Sequence, residues 1–411
     1  MISTKTILRD FPLLTQYSEG KKLIYLDSAA TSQKPSVVIN AITNYYQTTN
    51  ANVHRGVHRL SDESTAIWQK SRETIASFFG ANTPELILLR NTTEATNGIA
   101  YGWGDHNLSS GDIILTTLME HHSNFVVWQE LAKRTGARIE VVAVTKDGEL
   151  DLESLNEKLS LAKVKLLALT HVSNTLGTLN PIADIVQQTR ELSPNIRIVL
   201  DAAQSAPHLS INFKNLDVDF LVFSGHKMLG PMGSGGMLVK KELLRSGEMK
   251  PWLFGGGMID SVAVEKTTYS SDLSELFTAG TPDVASAVGL AAACDYLNNL
   301  GMESVRKHDE MLVQYALEKL TDLPEITVVG PRSNRVGSVA FLHNKVHAHD
   351  VAQILDSQNI AVRSGHHCTM PLHTEFSWPA TVRASFNVYN TTDDIDALIS
   401  GLEKVKTVFK I

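Results

Sequence analysis

Seven short apolar segments between residues 86 and 239 constrain the fold of this chain more than any other feature. They are Leu86–Arg90, Asp112–Thr117, Ile139–Val144, Val164–Val172, Ile196–Leu200, Phe220–Ser224 and Gly235–Val239. Continuous apolar runs of this length, several of them separated by helical patterns, are typical of parallel strands that are buried on both faces. The sequence therefore predicts an α/β fold with a large, doubly wound, mostly parallel seven-stranded sheet.

The pattern changes after the Ala-rich segment that ends at Leu297. Helices are predicted near residues 302–320, 349–358 and 392–407, and the strand-like runs between them are Ile326–Val329, Ser338–His343, Ile360–Arg363 and Thr381–Phe386. A chain of 411 residues also exceeds what one hydrophobic core usually serves. We expect a large domain over residues 24–297 and a smaller α+β C-terminal domain built from residues 1–23 and 298–411.

Composition and charge exclude several classes of protein. Hydrophobic residues make up 43% of the chain and charged residues 20%, which is ordinary for a globular protein. The net charge of -7 disfavours a nucleic-acid partner, and no apolar run is long enough to span a bilayer. The two cysteines, Cys294 and Cys368, provide no disulfide framework, and the N-terminus has no signal-peptide pattern. These features predict a cytoplasmic protein.

Two helices have recognisable ends. Asn180 is expected to cap one helix, with Pro181 at its first position. Ser61 is expected to cap an earlier helix, and Gly80 to end it.

Two neighbouring strands in the predicted sheet end in residues that can carry chemistry. Asp201 follows the run Ile196–Leu200, and Lys227 follows Phe220–Ser224. If each residue is considered alone, the simpler interpretation is that Asp201 caps a turn and that Lys227 is a solvated cation in a loop. Ligands of open α/β sheets bind at the carboxyl ends of the strands, where both residues fall. A lysine that forms a Schiff base and a carboxylate that keeps a pyridine nitrogen protonated together suit pyridoxal 5'-phosphate.

A phosphate site is predicted beside this pair. Thr92 and Thr93 follow a strand and open a helix, where backbone N–H groups and hydroxyls can bind an anion. Ser224 and His226 can approach the same phosphate from the Lys227 strand. A simple threonine cap is the alternative interpretation.

Three further polar residues end strands of the same sheet. The imidazole of His121 can stack on a pyridine ring and relay protons, although a solvated histidine pair is the alternative. Gln204 and Asn174 can each hydrogen-bond the phenolic oxygen of the cofactor.

Arginine residues near the C-terminus are candidates for substrate binding. The planar guanidinium of Arg383 suits the α-carboxylate of an amino acid, which it can hold through two hydrogen bonds. Arg363 is a second candidate for the same neighbourhood. An isolated arginine in a strand is more often part of a surface ion pair.

Cys368 lies in a loop between glycine and proline and follows two histidines. A thiol becomes a nucleophile as the thiolate, which nearby cations favour. One alternative is an inert buried cysteine, and Cys294 on its apolar helix fits that description. Another is a metal site, but adjacent His-His-Cys does not match the usual ligand spacing, so no metal is expected. That alternative would use the side chains of His366, His367, Cys368 and His373.

At this point the chain resembles the fold-type I pyridoxal-phosphate enzymes of the class-V aminotransferase family, and most of all the Suf-type (group II) cysteine desulfurases. The stretches that carry the resemblance are YLDSAAT (25–31), NVHRGVH (52–58), EHHSN (120–124), HVSNTLG (171–177), DAAQ (201–204), SGHK (224–227), AGTP (279–282), RSGHHC (363–368) and VRAS (382–385). They follow one another in order over nearly the whole chain.

The resemblance implies a role for each candidate. It implies Lys227 as the Schiff-base lysine, Asp201 on the pyridine nitrogen, His121 on the ring and Gln204 on the phenolic oxygen. It places Thr93, Ser224 and His226 on the phosphate, together with Thr281 of the partner subunit in a homodimer. Arg383 would bind L-cysteine, and Cys368 would accept its sulfur as a persulfide. The sulfur then passes to an acceptor protein for iron–sulfur cluster assembly.

Other functions remain open from the sequence. A selenocysteine lyase or a cysteine-sulfinate desulfinase could use the same scaffold. An aminotransferase or related lyase would not require Cys368. A non-catalytic thiol or metal carrier would be colourless, and the combination of Lys227, Asp201 and His121 argues against it.

Overall fold

The computed structural model describes residues 7–18, 21–54 and 56–411. Parts of the predicted N-terminal segment 1–23 therefore lie outside the described residues, as does Arg55 of the stretch 52–58.

The large sheet contains seven strands, numbered here along the chain. They are β1 (Leu86–Leu89), β2 (Ile113–Thr117), β3 (Arg138–Val142), β4 (Val164–Thr170), β5 (Arg197–Asp201), β6 (Phe220–Ser224) and β7 (Gly235–Val239). Their order in the sheet is β1-β7-β6-β5-β4-β2-β3. Strand β7 is antiparallel to both neighbours, and all other pairs are parallel. The seven predicted strands and the mostly parallel sheet are confirmed.

A second sheet of four strands, called the small sheet below, lies near the C-terminus. Its strands are β8 (Ile326–Val329), β9 (Ser338–His343), β10 (Arg363–Gly365) and β11 (Thr381–Ser385). They are antiparallel in the order β8-β9-β11-β10. The expected single run Ile360–Arg363 divides, because Ile360–Ala361 pairs with Ile24–Tyr25 instead. In β10, Arg363 lies opposite Arg383, and directly opposed residues point to the same face of a sheet.

Helices cover both sheets. Those of six residues or more are α1 (Ser36–Thr48), α2 (Arg59–Phe78), α3 (Thr92–Ile99), α4 (Val126–Thr135), α5 (Leu152–Leu159), α6 (Ile182–Leu192), α7 (Val284–Leu300), α8 (Met302–Thr321), α9 (Ala348–Asp356), α10 (Met370–Glu375) and α11 (Thr392–Phe409). The three helices predicted after residue 297 are confirmed as α8, α9 and α11. Short strands also pair Tyr17–Ser18 with Lys21–Lys22, and Ile259–Val262 with Thr267–Tyr269.

The large sheet is buried on both faces, as its apolar strands predict. Side chains of β4 alternate between two hydrophobic clusters, with Leu167 and Leu169 in one and Leu166 and Ala168 in the other. A third cluster lies around the small sheet and contains Phe341 of β9. The α/β architecture with a smaller α+β part is therefore confirmed. The boundaries at residues 23 and 297 stay a prediction.

The predictions that Asn180 and Ser61 cap their helices were wrong, whereas the prediction that α2 ends at Gly80 was correct. Pro181, not Asn180, is the N-cap of α6, because the Asn180 side chain donates instead to the Thr170 carbonyl oxygen at 2.8 Å. Helix α2 begins two residues before Ser61, and the His58 side chain accepts a hydrogen bond from the Ser61 amide. Gly80 follows the end of α2 with a φ of 65°.

Candidate active site

All the predicted site residues except Thr281 meet in one cavity of about 220 Å³. The cavity lies at the carboxyl ends of β2, β4, β5 and β6, and the small sheet and the loop before α10 supply its other side. The predicted residues that line it are Thr93, His121, Asn174, Asp201, Gln204, Ser224, His226, Lys227, Arg363, Cys368 and Arg383. Sequence reasoning therefore found most of the charged and nucleophilic groups of this cavity.

Asp201 and Lys227 lie on neighbouring strand ends because β5 and β6 are paired in parallel. Asp201 is 4% exposed, and its Oδ1 accepts a hydrogen bond from the Ala203 amide at 2.9 Å. Burial lowers the pKa of Lys227 to about 8, although Asp201 opposes that shift. Burial also raises the pKa of Asp201. A substantial fraction of the Lys227 amine is thus unprotonated, and nucleophilic, slightly above neutral pH.

The turn that carries Lys227 is anchored through the preceding residue. The carbonyl oxygen of His226 accepts hydrogen bonds from the Ser32 amide at 3.0 Å, from Thr31 Oγ1 at 3.1 Å and from Lys34 Nζ at 2.9 Å. Burial lowers the pKa of Lys34 to about 7. The sequence analysis missed Lys34, because its partner His226 lies in a turn 192 residues farther along the chain.

The start of α3 forms a corner lined by hydroxyl groups. Asn91 caps the helix by accepting from the Glu94 amide at 3.0 Å, and the Thr92 amide donates to Ser224 Oγ at 3.0 Å. A Cβ on Gly235 would lie 2.9 Å from Asn91 Cα, so glycine permits this close approach. Thr93, at the second helical position, lines the cavity. A helix N-terminus surrounded by hydroxyls suits a phosphate.

His121 is held in one orientation by its own turn. Its Nδ1 accepts a hydrogen bond from the Ser123 amide at 3.1 Å, so the ring proton is at Nε2. Burial and then the nearby Lys227 lower the pKa of His121 to about 3, which keeps the ring neutral. The preceding residue, Glu120, is buried and accepts from the Thr170 amide at 2.9 Å and from Asn124 Nδ2 at 2.6 Å. Glu120, which the sequence analysis did not single out, therefore fixes the backbone that carries His121.

The two predicted amide side chains are partly engaged within the protein. Gln204 Nε2 donates to the Ala29 carbonyl oxygen at 2.8 Å. Asn174 Nδ2 donates to the carbonyl oxygen of His367 at 2.7 Å. Asn174 thus connects the end of β4 to the Cys368 loop.

Arg383 is a buried cation that uses only part of its hydrogen-bonding capacity among the described residues. It is 2% exposed, and its Nη1 donates to the Asn174 carbonyl oxygen at 2.8 Å. Its Nη2 pairs with Asp27 Oδ1 at 3.2 Å, and its Nε has no partner among the described residues. Burial lowers the pKa of Arg383 to about 10, so it stays charged at neutral pH. Arg363 is more exposed and lies 3.9 Å from Asp27 Oδ2.

Asp27 was missed by the sequence analysis, although it lies in one of the stretches that carry the resemblance. An acidic residue after a two-residue strand gives no local signal. Its partner Arg383 is 356 residues away, so only the folded chain shows the pair.

Cys368 projects from a strained turn. Both His367 and Cys368 have positive φ angles, 50° and 59°, which are uncommon for residues other than glycine. The Cys368 carbonyl oxygen accepts from the His122 amide at 2.8 Å, and His122 Nε2 accepts from the Met370 amide at 3.1 Å. Hydrogen bonds on both sides of Cys368 thus hold the turn. Cys294, by contrast, is fully buried, and burial raises the pKa of its thiol.

Thr281 lies elsewhere. It lines a separate cavity of about 320 Å³, together with Arg90, Ser234 and Leu253. Its contact with the phosphate of a second subunit stays a prediction.

Within residues 7–18, 21–54 and 56–411, no group of three or more His, Cys, Asp or Glu side chains could hold a metal ion. In that same part of the chain, every helix is too short or too polar to cross a membrane.

Residues 24–398 match the aminotransferase class-V family. The chain belongs to this family. A probable cysteine desulfurase of Halalkalibacterium halodurans is 47% identical over 97% of each chain. A probable cysteine desulfurase of Streptomyces coelicolor is 43% identical over 100% of this chain and 98% of its own.

Solved structures show the same fold. The apo cysteine desulfurase from Thermococcus onnurineus NA1 superimposes with a TM-score of 0.92, at 38% identity and 98% coverage of both chains. The cysteine desulfurase CsdA (S-sulfonic acid) from Escherichia coli gives 0.90, at 32% identity and 99% coverage of both. The predicted fold-type I architecture is therefore confirmed.

The lowered pKa of Lys227 predicts how its reactivity depends on pH. Trapping of pyridoxal phosphate on the apoprotein with borohydride should rise with pH and reach half its maximum near pH 8, because only the neutral amine attacks. Asp201→Asn removes a charge that favours the protonated amine, so this midpoint should move to lower pH. Peptide mapping of the labelled lysine measures both. A midpoint near 10.5, the ordinary value for lysine, would contradict the buried amine.

Proposed function

We propose that the protein is a pyridoxal-phosphate-dependent cysteine desulfurase of the Suf (group II) type, which converts L-cysteine to L-alanine and transfers the sulfur to Cys368. One observation carries the proposal. A single cavity is lined by a half-buried lysine with a lowered pKa, a buried arginine and a partly exposed cysteine. These residues are Lys227, Arg383 and Cys368. The names of the relatives and of the solved structures support it.

The donor set of the cavity fits pyridoxal phosphate. Lys227 would bond the cofactor aldehyde, Asp201 would face the pyridine nitrogen, and the start of α3 with Thr93, Ser224 and His226 would hold the phosphate. His121 would cover the ring, and Gln204 and Asn174 would lie near its phenolic oxygen. When bound, the cofactor supplies a protonated pyridine ring that accepts the electron pair released at the substrate α-carbon.

The protein residues supply binding and proton transfer. Arg383, whose Nε is free to donate, binds the α-carboxylate of L-cysteine, with Arg363 as the more exposed helper. The neutral amine of Lys227 takes the α-proton, and His121 moves protons near the substrate.

Sulfur transfer takes place at Cys368. Its thiolate attacks the substrate sulfur, so an S–S bond forms while the bond between sulfur and Cβ breaks. The electron pair of the broken bond stays with carbon, which is protonated to give alanine. The terminal sulfur remains on Cys368 as a persulfide, ready for an acceptor protein that serves iron–sulfur cluster assembly. Selenocysteine lyase and desulfinase activities are not favoured by the comparisons.

The function is tested by the products and by one substitution. The yellow holoenzyme should release equal amounts of alanine and sulfur from L-cysteine under a reducing thiol. Cys368→Ser should keep the yellow colour but lose at least 100-fold in sulfur release, because a hydroxyl is a far weaker nucleophile than a thiolate. Cys294→Ser, at the buried cysteine, is the matched control and should retain activity. A Cys368→Ser enzyme that transfers sulfur at full rate would contradict the proposal.

The assignment of the carboxylate to Arg383 predicts an asymmetry between the two arginines. Arg383→Lys should raise KM for L-cysteine by roughly 10- to 100-fold, because lysine cannot replace a charge-assisted bidentate contact. Arg363→Lys should change KM by less than about fivefold, because this side chain is more exposed and solvent screens its charge. Steady-state kinetics measure both. Equal effects would argue that the two share the carboxylate.

We also propose that the active protein is a homodimer. Leu253 lines the Thr281 cavity, and the neighbouring Phe254 is 64% exposed and packs against Tyr269 at 5.9 Å between ring centroids. Exposed aromatic and apolar groups that lie together are typical of a surface that a partner covers and support this proposal. A second copy of the chain would cover them and bring Thr281 of the partner subunit to the phosphate.

A charge on this surface should break the dimer. Phe254→Asp should elute as a monomer by size-exclusion chromatography with light scattering, and should retain pyridoxal phosphate more weakly because it lacks the second subunit's hydroxyl. Leu192→Asp, on an exposed position of α6, is the control and should stay dimeric. A dimeric Phe254→Asp protein would place the interface elsewhere.

A further inference from the structure

His367 carries a buried hydrogen-bond acceptor beside the active cavity. The residue lines the cavity beside Cys368 and Arg383 and is 5% exposed. Its Nε2 lies 2.9 Å from Thr381 Oγ1. Its Nδ1 is buried without a hydrogen-bond partner anywhere in the part of the chain that the structure describes. A buried polar atom without a partner is costly, so its occurrence beside a reactive group points to a ligand.

A chain of hydrogen bonds fixes the tautomer of His367. His373 Nδ1 lies 3.1 Å from the Thr369 carbonyl oxygen, which only accepts, so the ring proton of His373 is at Nδ1. His373 Nε2 therefore accepts from the Thr381 hydroxyl at 3.1 Å. The Gly365 carbonyl oxygen could also accept the proton of the Thr381 hydroxyl, but it is farther from Thr381 Oγ1, at 3.5 Å. Thr381 Oγ1 then accepts from His367 Nε2, which leaves a lone pair on His367 Nδ1.

Both rings are neutral, as this scheme requires. Burial lowers the pKa of His367 to about 2, and the adjacent Arg383 is the next cause. Burial also lowers the pKa of His373. The free nitrogen of His367 is thus an acceptor and not a donor at neutral pH.

Several groups that line the same cavity as His367 are donors. Arg383 Nε has no acceptor within the described chain, the proton of His121 is at Nε2, and Lys227 provides an amine. L-Cysteine carries a carboxylate that such donors can bind. Its S–H group, however, is a donor, and it needs an acceptor close to Cys368. His367 Nδ1 is a buried neutral acceptor immediately beside that residue in the chain.

We propose that His367 Nδ1 accepts a hydrogen bond from the S–H group of the substrate and thereby turns its sulfur toward Cys368. This inference rests on the proposed function. No bond is made or broken at His367, since the proton stays on the sulfur that becomes the terminal atom of the persulfide. The contact selects an amino acid with a donor on Cβ, and it is lost when the product is alanine, which has none. His367 is thus a specificity-determining residue.

The test measures binding in a protein that does not transfer sulfur. The holoenzyme carrying Cys368→Ala is titrated with L-cysteine and with L-alanine, and binding is followed by the cofactor absorbance. His367→Gln keeps a donor near Thr381 but removes the acceptor at the δ position. It should weaken L-cysteine binding by about three- to tenfold, the range for one hydrogen bond, and leave L-alanine binding unchanged.

Two further variants sharpen the comparison. His367→Asn places an amide oxygen near the δ position and tolerates the positive φ angle, so it should restore most of the L-cysteine affinity. His366→Gln changes the neighbouring histidine, whose Nε2 bonds the Pro379 carbonyl oxygen, and should bind both amino acids like the parent.

Two results would overturn the inference. Parallel weakening of L-cysteine and L-alanine binding by His367→Gln would show that His367 only supports the loop. Unchanged affinity for both would show that the nitrogen does not meet the substrate. In each case L-alanine still alters the absorbance of the parent, so the proposed function stands. If neither amino acid alters the absorbance of the Cys368→Ala parent, the proposed function itself fails.

Discussion

The parallel register of β4, β5 and β6 is the constraint on which the rest of the site depends. It places Thr170 opposite Asp201, and Asp201 opposite Val222, at one edge of the sheet. Lys227 lies three residues beyond the end of β6 and is half-buried there. Burial disfavours charge and lowers the pKa of the amine to about 8, while the adjacent carboxylate limits the shift. A slip of one residue in either strand would turn one of these groups to the other face of the sheet.

The small sheet is fastened to this edge by hydrogen bonds to backbone atoms. Asn174, after β4, binds the His367 carbonyl oxygen, and His122, after β2, binds that of Cys368. Arg383 in turn binds the Asn174 carbonyl oxygen. The residues that would hold substrate and accept sulfur are therefore positioned by the same loops that would hold the cofactor. Two adjacent residues with positive φ persist in this turn because their surroundings fix them on both sides.

Helices and strands were predictable where burial leaves a recognisable pattern of apolar residues in the sequence. All seven strands of the large sheet were found, because strands covered on both faces are continuously apolar. Local rules failed where a distant group competed for a residue. Asn180 does not cap α6, because its side-chain amide donates a hydrogen bond to the Thr170 carbonyl oxygen instead. The run Ile360–Arg363 is divided because its first half pairs with Ile24–Tyr25, more than 300 residues earlier in the chain.

The sequence by itself singled out the candidate residues for the chemistry. Asp201, Lys227 and Cys368 stand out because each follows an apolar run or lies in a loop, and such patterns are local. Only the tertiary structure decided how these groups are charged and which partners they have. The Asp27–Arg383 pair and the free nitrogen of His367 arise from contacts between distant segments and from burial. Periodicity along the chain records which face of an element is buried, but it does not record what lies against that face.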